Sequence, residues 1–181
     1  MSTTTSSGTL SKVLLTMTER TIGLAEGLAQ GIDPKTAARH PEVDGKPIMC
    51  NHPTFVFGHL AIYPQMIMQT LGADVGDTAM PESYQELFKN GAECLDDPES
   101  SIYPSFEEVL GNCIRAHKAV HEYIKGCDDA SLCGPIEGNE NAAAFFGTCE
   151  GMTIFMLHDH FMFHLGQLST WRRVMGLGSA M

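Results

Sequence analysis

The chain has 181 residues, enough for one domain with a core of its own, and 43% hydrophobic with 18% charged residues is the balance of a globular protein. Eleven basic against 22 acidic residues give a net charge of -11, a field that repels phosphate backbones and anionic lipid, so no nucleic acid and no membrane surface is expected as a partner. The longest basic run is Arg172-Arg173, and the most apolar stretch, Met152 to Leu168, is broken by Asp159 and three histidines.

Met1 to Thr9 is rich in Ser and Thr, lacks the basic and apolar regions of a signal peptide, and is expected to be a disordered tail before a single domain over residues 10–181. The six cysteines (Cys50, Cys94, Cys113, Cys127, Cys133 and Cys149) show no metal-knuckle or CxxC spacing. Free thiols and a cytoplasmic location are the expectation.

Leu10, Val13, Leu14, Met17, Leu24 and Leu28 recur at helical spacing and predict a first helix, capped by Thr9 and ended by Gly31. A polar connection, Ile32 to Pro53, follows. The second helix starts near Thr54, carries Phe55, His59, Ile62 and Met66 on one stripe, and contains Pro64, which predicts a kink. Gly72 to Pro104 reads as irregular, with a short helical piece around Tyr84 to Phe88. Ser105 followed by Glu108 is a capping box that opens a third helix; Phe106, Val109, Cys113, His117 and Val120 mark its buried face, and Gly126 stops it. The fourth helix runs from about Thr148 to Met175, with Gly176-Leu177 as a left-handed cap. Four long helices without alternating strands predict an all-α four-helix bundle, and the long connections between helices 1 and 2 and between 2 and 3 leave room for a crossover.

His160 and His164 are one turn apart, close enough for both imidazoles to reach one metal ion. Their stripe, through Thr153, Met156/Leu157, Gln167/Leu168, Trp171 and Met175, points inward, where two imidazoles are costly to bury unless their nitrogens find partners. Core histidines satisfied by other side chains are the simpler alternative. His59 sits on the apolar stripe of helix 2 and, if helices 2 and 4 are neighbours, completes a three-nitrogen set with positions open for water or substrate. His117, on the buried face of helix 3, is its rival or a pocket residue. His121 reads as solvated, His52 as a capping or loop residue and His40 as exposed, while His158 is about 200° away from His160. No Glu-x-x-His of a di-iron bundle, no HxxxE or HxxxxD partner of a hemerythrin-like site, and no HExxH occurs.

Phe57-Gly58-His59-Leu60, Tyr103-Pro104-Ser105-x-Glu107-Glu108, and His160-x-x-x-His164-x-Gly166-Gln167-Leu168 with Arg172 or Arg173 and then Gly176-Leu177 together resemble the DinB-like family in order and spacing. The resemblance spans about Leu10 to Leu177. It implies an up-down-down-up four-helix bundle, often a homodimer, and a nickel, zinc or ferrous-iron site with His59 as first ligand and His160 and His164 as the other two. The segment Gly72 to Ser101 is longer than a minimal member needs, and His52 is an extra histidine near helix 2. The activities implied are metal-dependent hydrolysis or transfer of a low-molecular-weight thiol, on a small-molecule substrate. The alternative is a non-catalytic binding or stress-response module stabilised by its metal. Helix 4 is apolar nearly all round, which fits either a homodimer contact or a central buried helix.

Overall fold

The first helix, α1, spans Thr9–Ala29 in the computed structural model, which describes residues 8–180. Apart from Gly8 and Thr9, the expected tail lies outside the described residues; those two cap and open α1. Gly8 has no side chain to offer the free N–H groups, and a carboxylate from far along the chain takes that part. Asp129 Oδ2 accepts from Leu10 N at 3.1 Å and Oδ1 from Ser11 N at 3.0 Å, a favourable place for negative charge at a helix start. The buried face is Leu14, Thr18, Thr21, Ile22, Ala25 and Leu28; Val13, expected inside, is on the solvent side.

The polar connection contains a short hairpin, β1 (Glu42–Val43) against β2 (Lys46–Pro47), that hydrophobic patterning did not reveal. Asp44 and Gly45 both have positive φ, as a two-residue hairpin turn requires. His40, expected to be exposed, is buried instead: its backbone N–H donates to Asp96 Oδ1 at 2.7 Å and its ring lies 6.0 Å from that of His52. The loop that carries Asp96 folds over it, a contact no local pattern announces.

Helix α2 (Pro53–Ala61) is buried along its whole length, and α3 (Tyr63–Thr70) continues it after a break at Ile62. Pro64, without an N–H, sits in the first turn of α3, where none is needed. His52 is the N-cap of α2, its Nδ1 accepting from Phe55 N at 3.1 Å. A 3-10 turn (Gly76–Thr78) and α4 (Glu82–Phe88) follow. The third long helix, α5, spans Phe106–Lys125. Ser105 Oγ accepts from Glu108 N at 3.2 Å, whereas the Glu108 carboxylate accepts from the Tyr84 hydroxyl at 3.3 Å.

Short helices α6 (Asp129–Leu132) and α7 (Glu140–Phe146) lead to α8 (Cys149–Ile154), which Thr148 caps. The last helix was expected to be continuous. It contains a π turn over Phe155–Asp159 before α9 (His160–Val174), and His160 N–H donates to the carbonyl of Phe155, five residues back. The extra residue shifts the phase: Phe161, His164, Leu165, Leu168 and Trp171 now line the core, and His160 moves to the edge of that stripe, half-buried. Gly176 adopts positive φ, with Leu177 N donating to Arg172 O at 2.9 Å, so the expected left-handed cap forms.

The protein is all-α, with strand confined, among the described residues, to the β1–β2 ribbon. α1 packs on α5 and α9, and α2 on α4, α5 and α9. Leu157, Phe161 and Leu165 are buried in these contacts, so most of the apolar girth of helix 4 is a central helix's need. Of the two arginines after the HxxxH pair, Arg172 is buried and donates from Nη1 to Leu28 O at 2.8 Å and Gln30 O at 2.7 Å, closing the C-terminus of α1.

Candidate metal centre

α2 and α9 bring His59, His160 and His164 together, and their ligand atoms all lie within 4.8 Å of one another. His160 Nε2 stands 3.2 Å from His59 Nε2 and 3.1 Å from His164 Nε2. Two nitrogens bound to one ion at about 2.0–2.1 Å stand roughly 2.8–3.4 Å apart for angles between octahedral and tetrahedral. The spacing fits.

The opposite ring nitrogens explain why Nε2 faces inward. His59 Nδ1–H donates to the Phe88 carbonyl at 2.6 Å, and His164 Nδ1–H donates to Gln167 Oε1 at 3.0 Å. Asn51 Nδ2 holds the same Gln167 oxygen at 3.0 Å. Both histidines therefore present a bare Nε2 lone pair to His160. One proton on His160 Nε2 can serve only one of them, and His160 Nδ1 is itself buried without a partner among the described residues. A cation at the point of convergence satisfies every Nε2 at once; without one, His59 Nε2 depends on the hydroxyl of Tyr63, 3.3 Å away, and His164 Nε2 on the single proton of His160. Burial holds His59 below the usual imidazole value and pushes His164 down to about 4, helped there by the neighbouring His59. Burial, then the charges of His164, His59 and His117, push His160 down to about 3. All three rings are neutral at pH 7, the state a metal ligand needs.

Gly58 explains part of the motif around His59. A Cβ there would stand 2.4–2.5 Å from the Phe88 ring, so only glycine lets α4 close on α2 and deliver the Phe88 carbonyl to His59. Gly58→Ala is expected to cost about 1–3 kcal/mol through overpacking and to weaken metal affinity as well. Chemical denaturation with and without metal checks both. Gln167→Ala removes the acceptor that orients His164 and is expected to lower metal affinity by about 10–100-fold with little change in fold. Titration against a competing chelator measures it; unchanged affinity would show that Gln167 does not orient the ligand.

The other histidines stand apart. His117 is buried, donates to Cys113 O at 2.8 Å and packs edge-on against Phe161, so it is a core residue behind the site. His52 donates from Nε2 to Leu95 O at 3.0 Å and caps α2. His121 is half-buried beside Glu122 rather than fully solvated, and His158 pairs with Asp159. All six cysteines are free.

Sequence reasoning missed Tyr63. Its hydroxyl lies 3.3 Å from His59 Nε2 and its ring packs on both His59 and His160. The signal was its position one turn after His59, on the stripe beside it. Burial raises the phenol to about 12, so it stays a donor. The three histidines open onto a cavity of about 580 Å³ whose wall includes Asn51, Phe55, Lys89, Phe155, Phe163 and Gln167. Among the described residues no helix is long and apolar enough to cross a membrane. No family model matches the chain, and no curated protein or solved structure matches it, so the centre stands on its geometry.

Proposed function

We propose that the chain is a DinB-like metalloenzyme that binds one nickel, zinc or ferrous ion through His59, His160 and His164 and acts on a small molecule, as a hydrolase or a low-molecular-weight-thiol transferase. One observation carries the reading: three inward-facing Nε2 atoms, two with their tautomers set from behind, at the wall of a cavity of about 580 Å³. That volume is ligand-sized. A bound divalent ion supplies Lewis acidity, which lowers a water's pKa towards about 7 or deprotonates a thiol outright.

The chain's own residues do the rest. Phe88 and Gln167 hold the imidazoles, and Asn51 holds Gln167. With His59 Nε2 engaged, the Tyr63 hydroxyl is left to donate to whatever occupies the open position. Phe55, Phe155 and Phe163 make one side of the cavity apolar.

The fold in this reading is an up-down-down-up four-helix bundle of α1, α2–α3, α5 and α8–α9. Supporting contacts are Thr21 near Leu157 with Leu28 near Arg172, which run α1 along α9, and Asn51 to Gln167 with His59 to His160, which run α2 against it. Asp129 at the start of α1 and Glu26 paired with Lys118 run α5 against α1. A homodimer belongs to the same reading, supported by the exposed Phe163 and Val174 of α9 and the nearby Ile48 and Met49. Light scattering at micromolar concentration is expected to give twice the chain mass; a monomer mass removes the dimer.

Metal-loaded protein assayed with thiol-plus-electrophile pairs and with esters and amides separates transferase from hydrolase. Turnover in one panel is expected, and silence in both counts against an enzyme.

A further inference from the structure

A second recess, of about 520 Å³, adjoins the cavity on the far side of His160 and shares Phe155, Asn90 and His160 with it. Its walls are chemically unlike the first. The first is lined by Lys89 and Asp159 besides its aromatic side chains. Among the described residues no Lys, Arg, Asp or Glu lines the second, in a chain with 22 acidic residues. Tyr63 and Met66 from α3 and Phe145 and Phe146 from α7 form its apolar wall, closed by Phe155 of the π turn. Phe145 packs edge-on against both of the others, Phe146 at 4.7 Å and 80° and Phe155 at 5.8 Å and 81°. Phe145 is nevertheless 71% exposed, a large apolar side chain left at the mouth of an apolar recess. Asn139 is already committed through its carbonyl oxygen to the N–H of Ala142, which leaves its amide N–H₂ and the Asn90 and Asn141 side chains as uncharged polar groups.

We propose that this recess seats an uncharged aromatic arm of the ligand whose donor atom is held at the three-histidine centre, while the ligand's polar or charged end lies in the Lys89 cavity. The inference rests on the metal reading above and adds the substrate class to it. A flat ring meets edges and faces of Phe145, Phe146 and Phe155, covers the exposed Phe145, and strands no charge. A carboxylate there would have no cation to pair with and would lose hydration for nothing. Continuity fixes the order of the parts: His160 lines both recesses, and Tyr63 lines the second while its hydroxyl stands 3.3 Å from His59 Nε2.

The test uses the full chain loaded with cobalt(II), whose visible absorption reports ligand binding without turnover. Acetohydroxamate, benzohydroxamate and 4-carboxybenzohydroxamate present the same oxygen donors with no arm, a neutral ring and a charged ring. Benzohydroxamate is expected to bind about tenfold tighter than acetohydroxamate. The charged ring is expected to lose that gain. Phe145→Ala should abolish the ring preference and Phe163→Ala, which alters the first cavity, should keep it. Both side chains are mostly exposed, and the hydroxamate series on the unaltered chain stands even if a variant folds poorly. Equal affinity of the first two ligands, equal binding of the charged ring, or a preference lost with Phe163 rather than Phe145 overturns the proposal. An unaltered chain that takes up no cobalt overturns the metal reading and this inference together, an outcome distinct from cobalt-loaded protein that ignores the ring.

Discussion

A His160→Ala/His164→Ala double variant, purified without a histidine tag, is expected to carry below roughly 0.1 metal ion per chain against about 1 for the unaltered protein. Removing both leaves only His59 of the converging set, and one imidazole with water does not retain a divalent ion against dilution. The fold should survive. His160 is half-buried, and although His164 lines the core, the variant removes the unpartnered Nδ1 and the crowded Nε2 atoms together with both rings. Added metal stabilises a native state that alone binds it, by about 4 kcal/mol at a free concentration 1,000-fold above Kd. For a domain of this length that is roughly 8–16 °C in Tm. The double variant should show no such shift. Elemental analysis with thermal melts in the presence and absence of metal makes the comparison. Sub-stoichiometric metal in the unaltered protein, unchanged in the variant, would remove the metal from the account.

Acidification of the metal-free protein from pH 6.5 to about 4 is expected to be the second large effect, through two histidines outside the converging set in addition to the three within it, whose values burial also lowers. His52 is buried as a neutral ring with both nitrogens engaged: Nδ1 accepts from Phe55 N–H and Nε2–H donates to the Leu95 carbonyl. A proton on Nδ1 breaks the cap of α2. Burial lowers His52 to about 4, and burial likewise lowers His117 to about 4. Because these values lie below the usual 6.5, the unfolded chain takes up the proton first as pH falls. The stabilisation is whole above pH 6.5 and is lost on the way down to pH 4, at about 3 kcal/mol for each ring. His52→Asn keeps an acceptor at the N-cap and removes the titration. Urea denaturation at pH 7, 5.5 and 4.5 should show a flatter stability profile for that variant, although its stability at pH 7 falls with the lost contact to Leu95. A profile as steep as that of the unaltered chain would show that His52 does not carry the effect.

Much of the helical layout was legible because its causes are local. The stop at Gly31, the Ser105 cap, the break around Pro64 and the Gly176-Leu177 cap each depend on residues within a turn or two. The short hairpin went unread although Asp44-Gly45 is a turn signal, because its strands are two residues long and carry no alternation. His40 was misplaced for a different reason: a polar neighbourhood in sequence became an interior once the Asp96 loop folded over it. The π turn was invisible, since inserting one residue into a helical turn leaves the apolar composition of the segment unchanged.

The sequence by itself determined that the chain is all-α and that His160 and His164 share one helix face, because helix periodicity and one-turn spacing are properties of neighbouring residues. Only the tertiary structure decided which nitrogens face one another. His59 meets His160 across 101 residues, is held by a carbonyl 29 residues on, and reaches it only because Gly58 lets Phe88 close in. Gln167 is turned to His164 by Asn51, 116 residues away. Packing of α2 and α4 around α9 brings these groups together, and that packing is the sum of many weak contacts with no signature in any single stretch of chain.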